Sequence, residues 1–267
     1  FYSPSMQFNS DQFQIEKENS ITKDEKFRQW SMQKAAPYQW YQSILSATLS
    51  SQPILHCNGL HEWAMQYHPP NAKPPPSSKY QKHIPLRVNR DTINAVVERR
   101  GIDCTHVDAL RFFAPAAAPL NRLGSTLERR DQVRNEQKGC VHAHMDLLKI
   151  AMRIQPFVPA ELVADCLELA VECRRLDVAA SPYDCTGWGI DPVPVERAWG
   201  RKLFRQTQKQ LMEKSESVRV QLLDCYDVFL TLAFEDIILD EAILQPAPER
   251  FAKTEPGGMP WRKNLIS

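Results

Sequence analysis

The sequence predicts an all-α fold: a single irregular helical domain with long extended N- and C-terminal tails. Three observations predict it. Apolar residues recur at three- and four-residue spacing through the middle of the chain, the period of a helix with one buried face. The one candidate strand, Ile84-Pro85-Leu86-Arg87-Val88, carries a proline that confines it to a sheet edge or a loop. Only nine glycines are present, which leaves little turn chemistry for a β-sandwich and none for a dinucleotide fingerprint.

The elements follow in order. Residues 1–22 are polar without a sustained period and read as a tail. Lys23–Ala35 and Tyr38–Leu49 carry helical spacing, and Pro53 ends that run. His56–Tyr67 is mixed. His68–Ser78 holds five prolines and must be extended, because proline fixes φ and lacks a donor. Asp91–Arg99 reads as a helix with Asp91 at its N-cap. Cys104–Phe113 reads as a helix stopped before Pro115, and Asn121–Lys138 as a charged, exposed segment.

The central pair is the clearest. Gly139–Ile154 places Val141, Met145, Leu148 and Met152 on one stripe, and Pro159–Leu176 places Leu162, Cys166, Leu169, Cys173 and Leu176 on another. The two stripes are expected to pack through Met145, Leu148, Leu162 and Cys166. Ser181–Pro194 is rich in turn formers. Val195–Leu239 reads as one long helical pattern, kinked or broken once, with Leu211, Val218, Leu222, Cys225, Phe229 and Leu232 inside. Residues 245–267 form a second tail. The domain is therefore bounded at 23–244, and the chain shows no internal repeat.

Composition narrows the class. No apolar run approaches the roughly 18 residues of a membrane helix; Tyr226–Leu239 is interrupted by Asp227, Glu235 and Asp236. A net charge of +1 does not favour a nucleic-acid partner, since phosphate binding draws on a basic surplus. Local basic patches (Arg129, Arg130 and Arg134; Arg201, Lys202 and Arg205) leave one open. Seven cysteines without a C-x-x-C pair suggest thiols in a reducing compartment. The first residue, Phe1, suggests either a trimmed chain or loss of an organellar presequence, and on the second the expected location is an organellar matrix, mitochondrial, or otherwise the cytoplasm.

Candidate chemistry sits on histidines and carboxylates. His142 and Asp146 are four apart and share a helix face that continues through Lys149 and Arg153. They form either a solvated polar stripe or a pair lining a pocket, the carboxylate orienting the imidazole or both holding a metal. Glu161, Asp165, Glu168 and Glu172 line a face of the next helix, either in solvent with Arg175 beside Glu172, or turned toward His142 and Asp146. His106 and Asp108 are two apart and point to different sides of any helix. His61 and Glu62, beside Trp63, follow Gly59 near a turn, and Asp184 is a loop carboxylate. H-E-x-x-H, G-x-S-x-G, P-loop and deaminase signatures are absent.

Several segments carry a resemblance: Gly59-Leu60-His61-Glu62-Trp63-Ala64-Met65, Cys104-Thr105-His106-Val107-Asp108-Ala109-Leu110-Arg111-Phe112-Phe113, Pro119-Leu120-Asn121, and Gly139-Cys140-Val141-His142-Ala143-His144-Met145-Asp146-Leu147. Glu161 to Ala170 and Ala180-Ser181-Pro182-Tyr183-Asp184 belong with them. In order and spacing, over about 38–230, the chain resembles a bacterial family commonly labelled 3-methyladenine DNA glycosylase. The resemblance implies cleavage of a base–sugar bond. Such an enzyme needs aromatic walls and a carboxylate that activates water, for which Trp63, Phe112, Phe113 and Tyr183 with Asp146 or Asp165 are the candidates. The Pro-rich insert at Pro69–Pro76 and both tails depart from the family pattern.

Three functions follow as expectations. The first is an accessory or structural subunit of a larger assembly, contacting other protein subunits through both tails. The second is a hydrolase of base N-glycosidic bonds, with His142, Asp146, Asp165 and Glu168 as catalytic candidates. Its pocket would draw on His61, Glu62, Trp63, His106, Asp108, Arg111, Tyr183 and Asp184. The third is a metal-dependent enzyme using His106, His142, Asp146 and Glu161 or Asp165. No particular cofactor is indicated.

Overall fold

A computed structural model describes residues 23–55, 57–73 and 83–234. It is all-α: among the described residues there is no strand, only isolated bridges between Leu86 and Tyr183 and between Ile102 and Asn121. The helices are α1 (Lys23–Ser50), α2 (Leu60–Gln66), α3 (Arg90–Arg100), α4 (Val107–Leu110), α5 (Gln132–Asn135), α6 (Val141–Arg153), α7 (Ala160–Ala180) and α8 (Ala198–Ala233). The tails at 1–22 and 245–267, and with them the expectation that they cross partner subunits, lie outside the described residues, as do Pro74, Pro75 and Pro76 of the Pro-rich insert.

The long helices form the frame. α6 packs on α7, and both pack on α8, which also receives α1. One buried cluster runs through them, from Ile44 and Leu45 of α1 through Trp63, Leu147, Leu169 and Phe204 to Tyr226. Tyr38 of α1 meets Phe229 of α8 at 4.9 Å, and Phe229 meets Phe157 of the α6–α7 connection at 5.2 Å.

Periodicity placed the stripe of α7 correctly: Leu162, Cys166, Leu169, Cys173 and Leu176 are all buried. Elsewhere the structure differs from the sequence reading. On α6 the buried residues are Val141, Ala143, His144, Leu147, Ile150 and Ala151, while Met145 and Leu148 are half-buried and Met152 is 57% exposed. α6 is enclosed on two sides, by α7 and α8 and by the polar cluster described below, so its apolar period does not select one inner face. α8 is a single unbroken helix. Its inner face carries Gln208, Ser215 and Arg219 among Phe204, Leu211, Val218, Leu222, Tyr226 and Leu230, and these polar residues made the pattern look interrupted. Leu232 is on the outside.

The polar residues inside α8 are tied down. Gln208 Nε2 donates to the Gly139 carbonyl at 2.6 Å. Arg219, 2% exposed, donates to Ser215 Oγ and the Ala143 carbonyl at 3.2 Å each and lies 3.4 Å from His144 Nδ1. Burial of a charge is tolerated only with such partners, and here they fasten α8 to the start of α6.

Shorter elements also differ from the sequence reading. The two N-terminal segments are one helix that runs through an exposed Pro37. α3 is capped by Asn89, whose Oδ1 accepts the Thr92 N–H at 2.8 Å, so Asp91 sits in the first turn instead. Only Val107–Leu110 of the expected Cys104–Phe113 helix is helical, because Cys104 N–H is held by Asn121 Oδ1 at 2.9 Å in an extended stretch. Asn121–Lys138 is not a solvated segment throughout: Asn121, Asp131, Gln132, Glu136 and Gln137 are buried.

Candidate functional site

Four separate pieces of chain bring ionisable groups to one buried place between α2, α4, α6 and α7. Asn58 and Gly59 turn the chain into α2 with φ of 51° and 66°. Gly59 is needed for both conformation and space, since a Cβ there would lie 3.1 Å from Phe204 and 3.2 Å from Ala180. That turn places His61 and Glu62 at the start of α2. His106 occupies the N-cap position of α4 in extended conformation. His142 and Asp146 come from the first two turns of α6, whose entry is fixed by Gly139, where a Cβ would meet the Ile54 carbonyl at 2.7 Å. Asp177 comes from the last turn of α7.

The geometry is close. His61 Nε2 lies 2.8 Å from Asp177 Oδ1, and His142 Nε2 lies 3.9 Å from Asp177 Oδ2. The His61 and His142 rings meet edge to face at 4.3 Å, and His106 lies 5.2 Å beyond His142. His106 Nε2 is 3.3 Å from Asp146 Oδ2. Glu62 Oε1 is 3.8 Å from His61 Nε2. Arg174 reaches in from solvent and donates to Asp177 Oδ2 at 2.7 Å. A cavity of about 20 Å³, room for a water molecule or an ion, touches His61 and His142 and is walled by Cys57, Cys104 and Cys140.

Burial sets the protonation states. Burial and then the neighbouring His61 push His142 well below the ordinary imidazole range, so it is a neutral ligand or base. Burial acts on His61 in the same direction, but the Asp177 carboxylate outweighs it and raises that imidazole. Asp177 itself, although burial opposes its ionisation, is held below the usual carboxylate range by His61. Burial would also raise Asp146, yet the His106 hydrogen bond and Lys149 bring it down to about 2. Glu62 is pushed up by burial. The wall thiols are raised by burial, Cys104 to about 12; they stay protonated at neutral pH and are weak nucleophiles and ligands there.

Two sets of side chains have metal-ligand spacing, each with donor atoms within 4.8 Å of one another: His61, His142 and Asp177, and His106, Asp108 and Asp146. The carboxylates of both sets meet cationic side chains, Arg129 2.8 Å from Asp108, Lys149 2.9 Å from Asp146 and Arg174 2.7 Å from Asp177 Oδ2. In the first set, His61 Nε2 and Asp177 Oδ1 are buried without a hydrogen-bond partner although they lie 2.8 Å apart. Glu62 Oε2 beside them is equally unpartnered.

Of the residues singled out from the sequence, His61, Glu62, His106, Asp108, His142 and Asp146 come together. Asp165 and Glu168 do not; with Glu161 they lie on the exposed face of α7, where Lys214 of α8, not Arg175, pairs with Glu168 at 3.2 Å and Glu172 at 2.8 Å. Trp63 is fully buried with its indole N–H on the Ala180 carbonyl. Tyr183 is buried, its hydroxyl accepting from Gln66. Arg111 is exposed and pairs with Asp108. Asp184 caps Thr186 at the surface. Asp177 and Glu136 were missed. Asp177 falls four residues after Cys173 on the apolar stripe of α7, and a carboxylate on a buried stripe was the available signal.

Comparison with protein-family models, with curated proteins and with solved structures finds no match.

Proposed function

We propose that this protein is a hydrolase whose reaction centre is the buried cluster of His61, Glu62, His106, His142, Asp146 and Asp177. The observation that carries the reading is the convergence of these groups from four chain segments into one enclosed place beside a water-sized cavity. Gathering ionisable groups away from water costs several kcal/mol per ion before pairing, and sites of this kind are concentrated where proton transfer is done. His142, kept neutral, has a ring lone pair free for the reaction centre, and the Asp146–His106 pair is built to hold an imidazole in one orientation.

The resemblance to the glycosylase-labelled family also favours cleavage by water. Base flipping is less well supported as the route. A flipped base needs open aromatic faces; Trp63, Phe113 and Tyr183 are packed inside, and Phe112, which is exposed, carries Arg111 over its ring at 4.7 Å. A substrate that presents one small reacting group to the cavity fits better. The test is a panel of N-glycoside, ester, amide and phosphoester substrates, including alkylated DNA. One class should be turned over by the unmodified chain and not by H142A or H106Q, with both variants folded by circular dichroism. Equal background rates in all three proteins would contradict the reading.

A second reading, that the chain is a subunit of a larger assembly, draws on different residues. Trp199 and Leu203 at the start of α8, and Val228 and Leu232 near its end, are large apolar side chains left 41–68% exposed, and such surface often marks a protein contact.

A further inference from the structure

We propose that His61, His142 and Asp177 bind one divalent transition-metal ion of the zinc class. Two imidazoles and a carboxylate are a ligand set such ions take, and three protein ligands with a fourth position open to water is the arrangement of catalytic zinc sites. The cavity against His61 and His142 provides that position. This inference rests on the hydrolytic reading for its purpose, but not for its geometry.

The unpartnered atoms separate a metal site from a proton-linked pair. His61 Nε2 and Asp177 Oδ1 approach to 2.8 Å as an ion pair, yet neither atom has a hydrogen-bond partner. Buried polar atoms in native proteins nearly always have partners. Two such atoms side by side, within 4.8 Å of a His142 nitrogen, are placed as ligands are. Asp177 is positioned for this by the hydrogen bond from Arg174 to its other oxygen, the outer support that metal-binding carboxylates require. The second set has no such pair of unpartnered atoms, since Asp108 Oδ1 accepts from Arg129 and Asp146 Oδ2 from Lys149. Glu62, 3.8 Å from His61 Nε2 and outside the ligand set, would be a carboxylate beside the ion able to take a proton from a bound water.

The experiment is titration of the chelator-treated full chain with Co²⁺ and Zn²⁺, followed by visible absorption and elemental analysis. One ion per chain is expected, with H61Q and H142Q each weakening binding by more than the roughly 10–100-fold typical of losing an outer-shell partner. H144Q, which alters a buried imidazole elsewhere on α6, should bind as the unmodified chain does. Imidazole NMR signals of the unmodified protein give a second readout that needs no variant to fold: His61 and His142 shift with stoichiometric Zn²⁺, His144 does not. Absence of binding, or binding unchanged in both H61Q and H142Q, would overturn the inference. Metal bound without turnover of any substrate would leave the site standing and remove the hydrolytic reading; turnover by metal-free protein would do the reverse.

Discussion

At the scale of the residue, what distinguishes this chain is how differently its histidines and carboxylates are housed. His142 is kept neutral by burial and His61 is raised by Asp177, although they touch. Asp146 gives a prediction with a sign. Its carboxyl lies at about 2 against an ordinary value of 3.8, so the stability it contributes is fully present above about pH 4 and is lost as the pH falls through about 2. The shift corresponds to about 2 kcal/mol. D146N should therefore unfold in urea with about that much less free energy at pH 7, and the difference should shrink steadily below pH 4. A difference that persists unchanged at pH 2 would mean that Asp146 acts through packing and not through its charge.

The same scale shows why the site was only half legible. His142 and Asp146 could be paired from their spacing alone, because four residues along a helix is one turn. Asp177 could not, since its partners are on α2 and α6, and sequence separation carries no information about such a meeting. Asp165 and Glu168 were attractive for the same reason that misplaced them: a row of carboxylates at helical spacing looks alike whether it faces Lys214 and solvent or a neighbouring helix.

At the scale of the element, periodicity succeeded where a helix has one buried face and failed where it has two. α7 is the first case, with Leu162 to Leu176 inside and its acidic row outside. α6 is the second, and its inner face is set by His144, Leu147 and Ile150, against the expected Met145 and Met152. α8 conceals its continuity because Gln208, Ser215 and Arg219 are buried but hydrogen-bonded. α1 offers a direct check. Pro37 lies within the helix and is exposed, where proline removes a backbone donor and crowds the preceding turn. P37A should raise the unfolding free energy by about 1–3 kcal/mol, read from the denaturant midpoint. A fall in stability would show that the helix is kinked or interrupted there.

At the scale of the whole molecule, the frame of α1, α6, α7 and α8 supplies the apolar core, while the polar cluster sits between α6, α7 and the short elements α2 and α4. No described helix is long and apolar enough to cross a membrane. Division into frame and cluster means that the fold does not depend on the set His61, His142 and Asp177, and this can be measured. Replacing all three of His61, His142 and Asp177 by leucine removes the buried ionisable groups while filling much of their volume. For a cluster kept for chemistry, the unfolding free energy of the triple variant in chelator should equal that of the unmodified chain or exceed it, by up to about 1–4 kcal/mol, as when a buried ion pair is replaced by packed apolar groups. A loss of more than about 3 kcal/mol under the same conditions would contradict this, and would make the cluster part of what holds the fold together.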